Sequence, residues 1–214
     1  MNRAELESFM DNLYEIGCVK FGEFYLSTGL KTPVYFDLRL IISYPKILQQ
    51  AARLIQQIIA DKNIKYDLIC GVPYGALALA VVLSIQTDKP LILKRKNTKD
   101  YGEKMVEGAF EKSNECLLIE DTVVFGSSVI ETAQVLKDYD LNSNVCIGIL
   151  DREQGGAENI GQHGLLFYSI IKASEFVEYL VKKGKITQEK MNEVIIFLKS
   201  NLYESKDKNI FPVV

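Results

Sequence analysis

The spacing of hydrophobic residues near the amino terminus predicts a helix followed by a hairpin. Apolar residues recur at helical intervals over Arg3–Ile16, which indicates an amphipathic helix. Two short extended runs follow, Glu23–Leu26 and Val34–Leu38, and the turn-like STGLKTP between them favours a hairpin. We expect residues 1–40, approximately, to form a small amino-terminal hood, after which Pro45 opens a second helix with one apolar face.

From residue 67 onward, continuous apolar runs alternate with helical patterns. The runs that predict strands are Asp67–Gly71, Pro90–Lys94, Glu115–Ile119, Asn144–Leu150 and Leu165–Ile170. The helical patterns are Ala76–Ile85, Ser128–Tyr139, Ala173–Lys182 and Thr187–Ser200. Strands that are apolar throughout are typical of sheets buried on both faces. The chain is therefore predicted to be an α/β protein with a mostly parallel central sheet flanked by helices.

The pattern shows no repeat and no low-complexity linker, so we expect one domain over residues 1–214, with a loose tail at about 205–214. One connection is unusually long. It runs from Arg95 to Asn114 with weak periodicity, and it carries several basic residues around Tyr101. Long loops in compact domains are usually functional or disordered, although a solvated charged loop has the same composition.

Composition narrows the class of protein. The 214 residues carry a net charge of −3, so no global basic field favours nucleic acid. No apolar run is long enough for a membrane span, and the amino terminus lacks a signal-peptide core. The four cysteines lack a CxxC spacing, and three of them lie in apolar runs, which argues against zinc or a disulfide framework. A cytoplasmic protein is the expectation.

The run CLLIEDTVVFGSS combines paired acids with a small-residue turn. Glu120 and Asp121 end a buried strand, and Gly126, Ser127 and Ser128 come just before a helix. Adjacent carboxylates suit a divalent metal or the vicinal hydroxyls of a ribose, and a turn at a helix amino terminus suits a phosphate. These residues therefore predict a sugar-phosphate site, unless the acids only cap a loop and the serines only cap the helix. Walker, dinucleotide-binding and serine-hydrolase motifs are absent, and the one histidine, His163, is interpreted as a turn residue.

The same run resembles the phosphoribosyl-diphosphate signature of type I phosphoribosyltransferases. Four further segments resemble orotate phosphoribosyltransferases in order and spacing, in the form that is fused to a decarboxylase in UMP synthase. They are FGEFYLSTGLKTPVYFDLR, CGVPYGALALA, KRKNTKDYGEKMVEG and ILDREQGG. The resemblance covers essentially the whole chain. It implies the type I fold and transfer of phosphoribosyl from 5-phosphoribosyl 1-diphosphate to orotate, with Mg²⁺, in UMP biosynthesis.

The resemblance also implies residue roles. Glu120 and Asp121 would hold the ribose hydroxyls near the developing cation, and Gly126, Ser127 and Ser128 would cradle the 5′-phosphate. Tyr74 and Gly75 belong to a turn that would approach the diphosphate and Mg²⁺, with the metal held mainly by the diphosphate and no protein ligand assigned to it. Arg152, with Tyr35 and Phe36, would bind orotate.

The basic loop acquires a role from the same resemblance. Loop 95–110 would close over the diphosphate of the neighbouring subunit in a homodimer. Arg95, Lys96 and Lys99 match its diphosphate-binding positions, and Lys99 matches the lysine taken as catalytic. Closure would also exclude water from the activated sugar. A separate orotidine-phosphate decarboxylase would be a partner if none is fused to the native chain.

The chain departs from the family pattern at three places. Ser27 stands where a lysine is typical, Gly75 where lysine or threonine is common, and Val124-Phe125 where a threonine and a small residue are usual. Lys31 is a candidate for the missing charge. Two other functions stay open: a phosphoribosyltransferase for another base, such as a purine or uracil, and a non-catalytic sensor of phosphoribosyl diphosphate.

Overall fold

The computed structural model describes residues 2–25, 31–96 and 105–202. Its amino-terminal part begins with helix α1, Arg3–Glu15, whose first amides are capped by the side chain of Asn2. Strands β1, Val19–Tyr25, and β2, Lys31–Phe36, pair as an antiparallel hairpin, as predicted. A short 3-10 helix, Leu38–Ser43, then leads into helix α2, Pro45–Asp61.

The rest of the described chain forms a six-stranded sheet. Its strands are β3 Leu68–Gly71, β4 Leu91–Lys94, β5 Val106–Glu107, β6 Glu115–Val123, β7 Asn142–Asp151 and β8 Leu166–Lys172. Their spatial order is β5-β4-β3-β6-β7-β8, and every pair is parallel except β4 with β5. The remaining helices are α3 Leu77–Thr87, α4 Ser127–Lys137, α5 Gly156–Gln162, α6 Ala173–Lys182 and α7 Gln188–Ser200. The predicted fold class is confirmed.

Helices cover both faces of the sheet, so the central strands β3 and β6 are buried on two sides. Leu117 and Ile119 of β6 pack with α1, α2, α3, α6 and α7 in the larger core. Cys116 and Leu118, the alternate residues of the same strand, pack with α4 and α5 in a second core. This two-sided burial explains why the strand sequences lack polar alternation.

The strand order reverses at β3, which lies between β4 and β6. In open α/β sheets, ligands bind at the carboxyl ends of the strands where the order reverses. Here those ends are the turn after Gly71 and the end of β6. The fold therefore directs the search for a site to the same two segments that the sequence singled out.

Several predicted boundaries were wrong. Strand β6 extends to Val123, so Glu120 and Asp121 lie inside the strand and not after it, and Glu120 pairs with Gly148 of β7. His163 lies in a turn, as predicted, but the sequence missed helix α5 before it, whose end His163 caps with Nδ1 2.8 Å from the carbonyl oxygen of Asn159. The long connection contains strand β5. No helix among the described residues combines the length and the apolarity that crossing a membrane requires.

Candidate active site

The side chains of the paired acids of β6 lie on opposite faces of the sheet. Glu120 lies on the α4 side, is 7% exposed, and accepts a hydrogen bond from the backbone N–H of Asp121 at 2.9 Å. Asp121 leaves the strand on the other face and accepts from the N–H of Thr122 at 2.6 Å. Burial, together with the neighbouring charge of Asp121, holds the pKa of Glu120 well above its usual range. The two carboxylates thus stay close while facing different parts of the site.

The turn after β3 contacts Asp121 directly. A Cβ built on Gly75 would overlap Oδ2 of Asp121, so the carboxylate occupies the space that a side chain would need. Tyr74, the neighbouring residue, is exposed, and Nζ of Lys96 lies 5.9 Å from the centre of its ring. The family departure at Gly75 therefore has a structural counterpart, because glycine lets this turn approach Asp121 closely.

The end of β6 and the start of α4 enclose a pocket of about 180 Å³. Its lining comprises Glu120 and the continuous segment 122–129. Gly126 adopts φ +76°, which turns the chain from strand to helix, and α4 begins at Ser127. The first amides of a helix lack partners within the helix and attract anions. The pocket has the position and the backbone donors of a phosphate site.

Arg152 lies beside Phe36 at the carboxyl end of β7. Its guanidinium carbon is 5.7 Å from the ring centre of Phe36, and its backbone N–H donates to the carbonyl of Val123 at 2.9 Å. The residue is partly buried, and its buried Nε finds no hydrogen-bond acceptor among the residues that the structure describes. Burial lowers the pKa of Arg152 to about 10. A buried cation in this state gains from any anion that enters beside it.

Tyr35 lies next to Phe36 in β2 but makes different contacts. Its hydroxyl accepts a hydrogen bond from Nη2 of Arg39 at 3.2 Å, and its ring centre is 5.7 Å from that of Phe24. Alternation along the strand sends the two neighbouring rings to opposite faces. Of the three residues predicted to bind orotate, Phe36 and Arg152 are therefore in contact, while Tyr35 faces Arg39.

The basic loop is described only at its two ends. Nη1 of Arg95 pairs with Glu107 at 3.0 Å, and the backbone N–H of Arg95 donates to the carbonyl of Met105 at 2.8 Å, which joins the two ends of the loop. Lys99, Tyr101 and Ser27 lie outside the described residues. Lys31, the suggested substitute charge, pairs with Glu23 at 2.6 Å on the hairpin.

Sequence reasoning missed three polar residues around this edge of the sheet. Thr122 lines the pocket at the start of α4, and the alternation of Glu120 with Thr122 along β6 was a signal that could have identified it. Lys94 is buried at the end of β4 and pairs with Glu131 of α4 at 2.5 Å. Arg39, as described above, joins Tyr35. No periodic signal marked Lys94 or Arg39.

The possible protein ligands for a metal are few. Among the residues described here, no group of three or more His, Cys, Asp or Glu side chains could hold an ion. The carboxylates of Glu120 and Asp121 are the acids at this site. Mg²⁺ commonly takes one or two carboxylates and completes its coordination with substrate phosphates and water, so this donor set fits a metal that enters with a phosphorylated substrate.

Comparison with known proteins agrees with this geometry. Residues 41–160 match the family model described as the phosphoribosyl transferase domain. The chain is 39% identical over 191 residues to the orotate phosphoribosyltransferase of Caenorhabditis elegans, covering 89% of this chain and 84% of that protein. It is 40% identical to the uridine 5′-monophosphate synthase of Bos taurus, covering 96% of this chain but 43% of that protein.

Structural similarity points to the same group. The UMP synthase of Leishmania donovani superimposes with a TM-score of 0.82 at 28% identity, covering 91% of this chain and 42% of that one. The chain thus spans less than half the length of these two UMP synthases. The resemblance drawn from the motifs is confirmed, and the chain belongs to the orotate phosphoribosyltransferase family.

Proposed function

We propose that the protein transfers the phosphoribosyl group of 5-phosphoribosyl 1-diphosphate to orotate, giving orotidine 5′-phosphate and diphosphate for UMP biosynthesis. The observation that carries the proposal is the buried guanidinium of Arg152 beside Phe36, at the sheet edge that also holds Glu120 and Asp121. Orotate is a planar anion, and an arginine fork next to an aromatic ring offers it charge, hydrogen bonds and a stacking surface. A neutral base would leave Arg152 without its counter-charge.

The two acids have a role in the bond-breaking step. As the bond from ribose C1 to the diphosphate lengthens, positive charge develops on the sugar and negative charge on the leaving group. Glu120 and Asp121 would bind the ribose hydroxyls and stabilise the positive charge, while the N1 atom of orotate bonds to C1 as the bond to the diphosphate breaks, and the N1 proton passes to the released diphosphate. Catalysis of this kind depends on positioning and on fixed charges.

The substrate phosphates have separate binding places. The pocket at the start of α4 would take the 5′-phosphate through the backbone amides and hydroxyls of Ser127 and Ser128, with Gly126 shaping the turn. Tyr74 and Gly75 would line the diphosphate, together with Arg95 and Lys96. Separate anchors at the two ends of the sugar would hold C1 in line for attack.

Asp121, which contacts the turn at Gly75, and Glu120 are the residues that would help to hold a Mg²⁺ ion bound mainly by the diphosphate. When bound, it would neutralise charge on the leaving diphosphate. The fit rests on the donor set, because two adjacent carboxylates beside a diphosphate turn suit an ion that keeps most of its substrate and water ligands.

The active unit is proposed to be a homodimer in which loop 95–110 of one subunit supplies Lys99 to the site of its partner. Four exposed apolar residues lie on or beside α3, a helix that is apolar on nearly all sides. They form what we call the α3 apolar surface: Tyr74, Val81, Ile85 and Leu93. An apolar area of this kind on a helix is a common mark of a protein interface. A cytoplasmic setting is proposed because all four cysteines are free.

The first test is the loss of orotate absorbance with 5-phosphoribosyl 1-diphosphate and Mg²⁺, compared between wild type and Lys99→Ala. We expect turnover in wild type and a fall of at least a hundredfold in the variant, which corresponds to about 2.7 kcal/mol of lost transition-state stabilisation. Omission of Mg²⁺ should also abolish turnover. Hypoxanthine and uracil serve as control acceptors, since turnover with either in place of orotate would contradict the proposal. Binding of phosphoribosyl diphosphate without turnover would indicate a sensor instead.

A further inference from the structure

Arg39 carries a positive charge on the 3-10 helix that contacts β6, and no role above uses this charge. It follows Leu38 at the start of the 3-10 helix, which is anchored by the buried side chains of Leu38 and Ile41. The Arg39 side chain itself is 62% exposed. Buried residues before and after Arg39 thus hold its backbone in place, while its charged side chain reaches solvent.

Two protein groups orient the Arg39 guanidinium. Nε donates to Oδ1 of Asp37 at 2.9 Å, and Nη2 donates to the hydroxyl of Tyr35 at 3.2 Å. The N–H groups of Nη1 and one N–H of Nη2 have no acceptor among the described parts of the chain. Arginine presents its five donors in a rigid plane, so bonds at one edge fix the direction of the others.

The location of Arg39 relates it to the reacting groups. Tyr35 and Phe36 are neighbours in β2, and Phe36 contacts Arg152. The pKa of Arg39 is raised, chiefly by its hydrogen bond to Asp37 and in smaller part by the charge of Asp121. The 3-10 helix that carries Arg39 also contacts β6, the strand that carries Asp121. Arg39 is thus carried by an element that follows the hairpin in sequence and contacts the strand of the two acids.

The structure offers a contrast within the same protein. Arg53 of α2 is also exposed and ion-paired, with Glu5 at 3.3 Å, but it lies away from the sheet edge that carries the acids. Exposed ion pairs contribute little to stability, so neither arginine is explained by folding energy alone. Only Arg39 is also held by an aromatic hydroxyl beside the site.

We propose that Arg39 is a substrate-binding residue that donates hydrogen bonds to an anionic group of the bound substrate. That group is either the carboxylate of orotate or an oxygen of the diphosphate, since both are acceptors that an arginine fork recognises. This inference rests on the proposed transfer reaction. Asp37 and Tyr35 are then positioning residues, because they act through Arg39.

The test compares Arg39→Gln with the control Arg53→Gln by calorimetric binding of two unreactive ligands in the presence of Mg²⁺. Orotidine 5′-phosphate has the carboxylate but no diphosphate, whereas inorganic diphosphate has no carboxylate. We expect Arg39→Gln to weaken one of them about tenfold to a hundredfold, the cost of a lost charge-assisted hydrogen bond. The ligand affected identifies the group. Arg53→Gln should bind both like wild type, and Arg39→Lys should recover part of the loss.

Turnover of wild type and the Arg39→Gln variant, measured in parallel, separates the two proposals. If wild type converts orotate and Arg39→Gln binds both ligands within twofold of wild type, the role of Arg39 is wrong and the reaction stands. If wild type neither converts orotate nor binds either ligand, the proposed function fails and the role of Arg39 fails with it. The unfolding free energy of Arg39→Gln is compared with its binding free energy. If both fall by the same amount relative to wild type, Arg39 has a structural role and the inference is wrong.

Discussion

At the scale of single residues, Glu120 shows a conflict between stability and function. Its side chain is almost fully buried on the α4 side of β6, next to the charge of Asp121, and its pKa is raised for both reasons. An unfolded chain would ionise this group at a lower pH than the folded protein does. Ionisation therefore favours unfolding over the pH range between the two pKa values. A residue that costs stability at neutral pH and lines a phosphate pocket is explained better by ligand binding than by folding.

We expect Glu120→Gln to be more stable than wild type at neutral pH and much less active. The sign follows from the raised pKa: wild type loses stability as pH rises from 4.5, the ordinary value, toward the folded-state pKa, whereas the amide does not titrate. Urea unfolding at several pH values should show that the difference in unfolding free energy between Glu120→Gln and wild type grows with pH and then becomes constant. Glu178→Gln, an exposed position on α6, is the control and should show no such trend. If the gain in stability of Glu120→Gln over wild type is no larger at pH 8 than at pH 4, the raised pKa of Glu120 is contradicted.

At the scale of elements, the turn between β6 and α4 depends on glycine. Gly126 has φ +76°, and a Cβ there would lie 2.6 Å from Cγ1 of Ile160 and 3.1 Å from the carbonyl oxygen of Gly156. Helix α5 thus packs against the outside of the phosphate turn. The shape of the pocket is set by this contact as well as by the backbone of the turn itself.

We expect Gly126→Ala to lower the free energy of unfolding by about 1–3 kcal/mol, the typical cost of a left-handed conformation at a residue with a side chain. It should also weaken binding of 5-phosphoribosyl 1-diphosphate, because the turn must move to relieve the clash. Gly161→Ala is the matched control, since a Cβ at this position on α5 meets nothing within 4 Å. That change should be neutral or stabilising by about 0.5–1 kcal/mol. Similar urea midpoints for the two variants would show that the turn tolerates a side chain.

The elements differ in how far the sequence predicted them. Helix α6 was predicted with its observed bounds, because Phe176, Val177 and Leu180 mark one buried face and polar residues the other. Helix α5 was missed, because GAENIGQ has two glycines and one buried isoleucine and its stability comes from packing. The end of β6 was misplaced, because acids normally end a buried strand, and only the pairing with β7 keeps Glu120 within the ladder. The hydrophobic pattern could not predict that an acidic residue such as Glu120 would be buried inside a strand, because that burial is unfavourable for folding and is explained by function.

The candidate site shows the same division between local and long-range information. Its acids, its phosphate turn and Arg152 follow from short motifs. The association of Arg152 with Phe36 depends on a contact between residues far apart in sequence. Arg39 was not predicted, because its relation to the site depends on the contact between its 3-10 helix and β6, which are far apart in sequence. The roles assigned to these residues stay predictions until the variants are measured.

At the scale of the whole molecule, the α3 apolar surface is the feature that a single chain leaves unexplained. Ile85 is 76% exposed, and Val81 lies one helical turn before it on the same face. Exposing such residues to water gains nothing for a monomer, whereas a second copy would bury them. The same surface includes Tyr74 of the diphosphate turn, so an interface here would bring the partner close to the site.

We expect Ile85→Asp to shift the protein from a dimer to a monomer of 24.2 kDa, because the interface would have to bury an unpaired carboxylate. Light scattering after size exclusion measures the mass directly. Turnover should fall in the same variant, since Lys99 is proposed to reach the site from the neighbouring subunit. Ile196→Asp is the control, as Ile196 is 65% exposed on α7, and it should leave the mass unchanged. A wild type that is monomeric at micromolar concentration would contradict the proposed assembly.

The burial of Cys18, Cys70, Cys116 and Cys146 gives the molecule a built-in reporter of its own opening. Because each thiol is shielded in the folded chain, an alkylating reagent can modify it only when the surrounding structure opens. Cys18 lies where the hairpin joins the larger core, whereas Cys70, Cys116 and Cys146 lie in the core beneath α4. Mass spectrometry of labelled peptides would therefore measure the rate of local opening in the hood and in the sheet separately. A substrate that tightens one of these regions would slow labelling there, without any engineered probe.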